Sequence, residues 1–220
     1  MEIIKTEKGS LSVLGGKTDM GKSTIACYDC AEQLRSGKSV IFVSYEYCQS
    51  IIYTKLVNHF GLRFDELFKL NVLGATNWTF EMVKKAIRSA KGSVDVVYID
   101  YLDLLAKTTD HEYATYTIAQ KMELKQRILD DLAQLAYELQ IEIIVLTRIH
   151  ATLDLNMTIE YINQITGGIH SPSPTIKMFI GKDETLNPII KGSDMSHVII
   201  VDGNQLTHFS SINLKQAYKS

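Results

Sequence analysis

Features of secreted, membrane-bound or metal-clustered proteins are scarce in this sequence. Of its 220 residues only Cys27, Cys30 and Cys48 are cysteine, an odd number too small for a disulfide framework. Cys27 and Cys30 form one CxxC with no second pair, on a stretch of helical pattern just behind a glycine-rich turn, so both are expected to be buried thiols rather than metal or redox groups. No apolar run reaches the roughly 18 residues of a membrane span. The opening MEIIKTEKGS has neither an apolar h-region nor a small-residue cleavage site. The expectation is therefore a cytoplasmic protein without a membrane partner, in the cytoplasm of a bacterial host if phage-encoded. Excess positive charge is also missing. Lys and Arg number 23 against 25 Asp and Glu, for a formal net charge of -2, so the whole-molecule field does not favour nucleic acid. Any such contact must come from a local loop or from a ring of subunits that concentrates a few lysines. Internal repeats, low-complexity tracts and Pro/Gly linkers are absent, which leaves one domain over 1–220 with its core at about 9–212 as the expected organisation.

What the chain does have is 45% hydrophobic residues, enough for a large core, arranged as strands alternating with helices. Apolar runs predict strands at 11–16, 39–44, 68–72, 95–100 and 141–147, and apolar positions at helical spacing predict helices at 21–35, 49–60, 79–90 and 117–139. TIKMFIGK, HVIIVD and LTHFSSI read as three later strands joined by turns such as Asp202-Gly203-Asn204. The fold class expected is α/β, with a mainly parallel central sheet flanked by helices and a C-terminal antiparallel hairpin; the G-x-x-x-x-G-K-[ST] loop at Gly16 to Ser23 makes the expectation a RecA-like P-loop fold.

The chemistry concentrates in Gly16-Lys17-Thr18-Asp19-Met20-Gly21-Lys22-Ser23, which satisfies G-x-x-x-x-G-K-[ST] between a predicted strand and a predicted helix. Glycines let successive backbone N–H groups curl round a triphosphate, and the helix start adds partial positive charge. Lys22 is placed to bridge the β- and γ-phosphates and Ser23 to hold Mg²⁺; Thr24 extends the expected nucleotide-binding set. Asp100 closes the strand VDVVYID and is the expected acidic partner of the metal. Hydrolysis also needs a group that positions or deprotonates water. Glu46 follows the second strand, which is expected beside the P-loop strand. Thr147 and Arg148 end a later strand, where a polar group can sense the γ-phosphate. The expected cofactors are ATP and Mg²⁺.

The stretches GGKTDMGKST, VIFVSYE, VDVVYIDYLDLL, LAQLAYELQIEIIVLTRIH and TIKMFIGKDE follow one another in an order that resembles the motor domain of DnaB-type replicative helicases, bacterial and phage. The P-loop alone fits dozens of families; Ser44-x-Glu46 and the tyrosine and leucines after Asp100 narrow the resemblance. It implies phosphate and magnesium roles for Lys22 and Ser23, metal support by Asp100, and a catalytic glutamate at Glu46. Arg148 stands where that family usually has glutamine, and Lys182 where it has an arginine that meets a neighbouring subunit's site. The resemblance further implies a homo-oligomer, a hexameric ring, that grips single-stranded DNA through loops corresponding to 106–116 and 150–172, with a primase or loader protein as possible partner.

Three departures accompany it. The family's last hairpin carries a K-x-R arginine finger, whereas Ile199-Ile200-Val201-Asp202-Gly203 has no basic residue. Lys107 is the only lysine or arginine in the two DNA loops. The helical N-terminal domain and its linker helix are not expected in this chain. Self-association is expected to complete the site. A RecA-like recombination or annealing ATPase, and a nucleotide-binding regulatory paralogue lacking helicase activity, are the alternatives.

Overall fold

Buried apolar runs build the centre of the molecule. The computed structural model describes residues 7–16, 21–74 and 76–149, and the backbone of three further strands at 175–182, 195–202 and 205–213. β1 (Leu11–Gly16) leads to α1 (Lys22–Arg35), then β2 (Val40–Ser44) and α2 (Gln49–Phe60). A 3-10 turn, Glu66–Lys69, precedes β3 (Leu70–Gly74), followed by α3 (Phe80–Ser89), β4 (Val96–Asp100), α4 (Leu102–Thr109), α5 (Ile118–Leu139) and β5 (Glu142–Arg148). β6 (Thr175–Lys182), β7 (Met195–Asp202) and β8 (Gln205–Asn213) complete the sheet, whose order is β3-β2-β4-β5-β1-β6-β7-β8. Pairing is parallel from β3 to β6; β7 and β8 are antiparallel.

β1, β2 and β4 are buried at every position, as strands covered on both faces must be. Side chains alternate between faces. Leu11, Val13, Ile41, Val43, Val97, Ile99, Ile143 and Val145 pack with α3, α4 and α5. Leu14, Phe42, Tyr98, Ile144 and Leu146 pack with α1 and α2 on the other side. Within that second layer the Phe42 and Tyr98 rings stack at 5.4 Å, and the Tyr98 hydroxyl donates to Asp29 Oδ2 at 2.6 Å. A phenol buried this deeply keeps its polar tip only by finding such an acceptor. The result is a helix–sheet–helix sandwich.

Three expectations change. β2 does not lie beside β1: β4 and β5 stand between them. The β1–α1–β2 crossover skips outward, and later strands fill the gap. Because all these strands run parallel, their carboxyl ends still share one edge, and Glu46 reaches the site from there. The strand expected at 68–72 begins at Leu70, since Glu66–Lys69 close a 3-10 turn first. The first four residues of the 106–116 segment are helical, because α4 runs to Thr109. Leu102, Leu105 and Ala106 bury one face of that helix at i, i+3, i+4 spacing, a pattern too short to stand out beside the apolar strand before it. The 150–172 segment lies outside the described residues.

Candidate active site

The carboxyl edge of the sheet gathers the polar groups that its core excludes. β1 ends at Gly16, and Gly21 opens α1 with φ 86°, a left-handed conformation that glycine adopts without cost. The N-cap position of α1 is this glycine, which has no side chain to cap the helix, so the first turn brings backbone N–H groups and the positive end of the helix dipole to this edge. Lys22 Nζ donates to the Gly16 carbonyl at 2.8 Å, folding the buried side chain back over the loop's base. Burial lowers the Lys22 pKa, with Arg148 adding to the shift and Asp100, Glu46 and Asp103 opposing it.

Asp100 terminates β4 and is 1% exposed. Burial raises its pKa from an ordinary 3.8 to about 6, against a lowering hydrogen bond from Ser23. Its Oδ2 is buried without a hydrogen-bond partner. An orphaned carboxylate oxygen beside a serine hydroxyl is a fitting pair of hard donors for Mg²⁺, which takes few protein ligands and completes its shell with water and substrate phosphates. Accordingly, no group of three or more His, Cys, Asp or Glu side chains is placed to cage a metal among the described residues.

Glu46 arrives from the end of β2, tied to β4 by the Tyr45 N–H donating to the Asp100 carbonyl at 2.8 Å. Its carboxylate pairs with the Arg148 guanidinium, which lies 4.1 Å above the Tyr101 ring. Lys55 of α2 rests 3.7 Å over the Tyr47 ring. Together with Gly21, Lys22, Ser23, Thr24 and Asp100, these side chains line a cavity of about 300 Å³. A larger groove of about 530 Å³ between α2 and the 3-10 turn is lined by Tyr53, Val57, Phe64, Leu67 and Phe68 among others and holds no charged group. Convergent ionisable groups, not volume, mark the smaller cavity as the site.

Glu46, Lys22, Arg148, Ser23, Thr24, Gly21 and Asp100, all singled out in the sequence, are thus brought together, with Gly16 at the base. Lys17, Thr18, Asp19 and Met20 lie outside the described residues. Lys182 ends β6, its backbone opposite Ser196 of β7, and its side chain is outside the described part. Tyr47, Lys55, Tyr101 and Asp103 were not anticipated. Tyr101 and Asp103 lie within three residues of Asp100 and could have been found by proximity. Lys55 carries no local signal, since only the docking of α2 aims it inward. Cys27 and Cys30 are fully buried as expected, and burial raises the pKa of both.

No family model and no curated protein matches the sequence. Among solved structures, the chain is similar to an ATPase domain, with a TM-score of 0.73 and 16% identity over 97% of this chain and 84% of that one. It is also similar to a DnaB-like replicative helicase described with its primase interactions, with a TM-score of 0.68 and 16% identity over 93% of this chain and 55% of that one. It therefore spans about half the length of the second structure. These likenesses show the fold, and it is the RecA-like architecture expected from the sequence.

Proposed function

We propose that this chain is an Mg²⁺-dependent ATPase, a single DnaB-like helicase motor domain over 1–220 that acts on single-stranded DNA in replication. The observation that carries the reading is the meeting of Lys22, Ser23, Glu46, Asp100 and Arg148 in one cavity at the start of α1. A polyphosphate entering there meets the N-terminal amides of α1. Lys22 exchanges the Gly16 carbonyl for the β- and γ-phosphoryl oxygens, a stronger, charged acceptor. Ser23 and Asp100 are the residues that would hold Mg²⁺, which neutralises charge building on those oxygens. Glu46 orients a water and takes its proton. Arg148, within reach of both Glu46 and the phosphate end of the cavity, senses the γ-phosphoryl group in place of a glutamine. From the resemblance of the sequence motifs to DnaB-type motors we infer a ring-shaped homo-oligomer in the cytoplasm, with Lys182 directed to a neighbour's site and a primase or loader as partner; the similar helicase is described with its primase interactions.

Steady-state hydrolysis measurements test this directly. Lys22→Ala is expected to abolish Mg²⁺-dependent ATP turnover. Glu46→Gln should keep ATP affinity while reducing kcat by about 10²-fold, the scale of a positioned acid–base group. Full turnover by purified Lys22→Ala would refute the site. Stimulation by single-stranded DNA supports the motor reading; a rate indifferent to nucleic acid would instead favour a nucleotide-binding regulator. Helical filaments with DNA and an ATP analogue, in place of closed rings, would favour a recombination or annealing ATPase.

A further inference from the structure

Asp103 sits in the first turn of α4, and its carboxylate joins three elements. Oδ1 is ion-paired with Lys125 of α5, whose side chain is only 7% exposed. Oδ2 accepts from the Arg148 backbone N–H at 3.1 Å and from the Thr147 hydroxyl at 3.4 Å. Parallel-strand geometry explains why a side chain is needed there. The Ile149 N–H turns to β1 and donates to the Gly16 carbonyl. The Arg148 N–H faces the β4 side, where the last strand pair is Ile99 with Val145 and the chain has already turned into α4. Asp103 replaces the missing strand partner for that amide. Lys125, a compact point charge, holds one carboxylate oxygen and leaves the other aimed at the end of β5.

We propose that Asp103 is a positioning residue for hydrolysis, resting on the ATPase reading above: anchored by Lys125, it sets how Arg148 leaves β5 and so holds the guanidinium over Tyr101 and against Glu46. The residue acts through Arg148 and does not touch the reacting atoms. A charge-assisted bond to a backbone amide is well suited to this, being stronger than a bond between neutral partners.

The test is a double-mutant cycle on the full chain, read as kcat and KM for ATP. Asp103→Ala is expected to lower kcat by about 10- to 10²-fold, the penalty of a small misplacement, with KM changed by less than about threefold. Asp103→Asn, which retains an acceptor oxygen for the amide, should recover part of the loss. In an Arg148→Ala background, Asp103→Ala should cost less than about twofold more, since residues acting through one another are not additive. Additive losses, or unchanged kcat in folded Asp103→Ala, would overturn the proposal. Should Asp103→Ala fail to fold, Lys125→Met, which keeps the carboxylate but removes its anchor, carries the same expectation. Solvent exchange of the Arg148 backbone amide, followed by NMR without nucleotide, is expected to be about tenfold faster in the Asp103 variants as the local opening energy falls. Unchanged exchange with hydrolysis intact in the wild type would overturn the role of Asp103 alone. Absence of wild-type hydrolysis would overturn the ATPase reading and this role with it.

Discussion

At the scale of single residues, Asp100 combines a buried carboxylate with one oxygen unpartnered and a pKa raised to about 6. In the absence of divalent cations the native state keeps a proton on Asp100 that the unfolded chain has already lost. The group therefore stabilises the fold relative to its ionised form at low pH, and that contribution disappears as pH rises from about 4 through about 6. A rise of this size corresponds to about 3 kcal/mol of preference for the neutral form. Asp100→Asn removes the titration. Its advantage over the wild type in urea unfolding without Mg²⁺ should grow across that window to about 1–3 kcal/mol at pH 7.5. A constant gap between the two proteins from pH 4 to pH 7.5 would show that the carboxylate is not desolvated as described. The same substitution should abolish Mg²⁺-dependent turnover, a trade of activity for stability common at functional sites.

At the scale of elements, α5 shows how local signals and packing divide the work. Thr117 and Gln120 form a reciprocal capping box that starts the helix, and Gln140 ends it at φ 55°. Along its length Leu124, Ile128, Leu129, Leu132, Leu135 and Ala136 face the sheet. Cap and core differ in magnitude. Thr117→Ala is expected to cost about 1 kcal/mol, and Leu132→Ala about 2–5 kcal/mol, because Leu132 is fully buried and its loss leaves a cavity. Equilibrium denaturation of the two variants gives the comparison. Equal losses would mean that the sheet-facing side of α5 is not packed as described. Lys125 interrupts this face, and its pairing with Asp103 lets a charged residue stay there; a buried charge without a partner would be strongly destabilising.

At the scale of the whole molecule, parallel strands deliver polar residues to one edge, where β1, β2, β4 and β5 end together. Arg148 is the one arginine lining the cavity among the described residues, and it is paired with Glu46. Charge on a transferring γ-phosphoryl group is commonly met by a further cation from a neighbouring subunit. Specific ATPase activity is accordingly expected to rise with protein concentration and to level off as sedimentation shows assembly. Activity per subunit that stays constant down to a monomeric solution would count against self-completion of the site. With a net charge of -2, the DNA binding proposed above requires an assembly that repeats a few local contacts, because phosphate neutralisation needs several cations acting together.

The sequence by itself determined the buried strands and the longer helices, and its G-x-x-x-x-G-K-[ST] pattern and strand ends singled out Lys22, Ser23, Glu46 and Asp100, which the structure brings to one cavity. These features are local: a polyphosphate is gripped by consecutive amides, and apolar runs or helical spacing report burial within a few neighbours. Tertiary structure alone decided that β4 and β5 separate β1 from β2, that Leu102–Thr109 forms a helix, and that Lys55 turns inward. It also decided that Asp103 would meet Lys125 and Arg148, partners 22 and 45 residues away. Such contacts depend on how a completed sheet stacks its helices, and nothing in the intervening chain encodes them residue by residue.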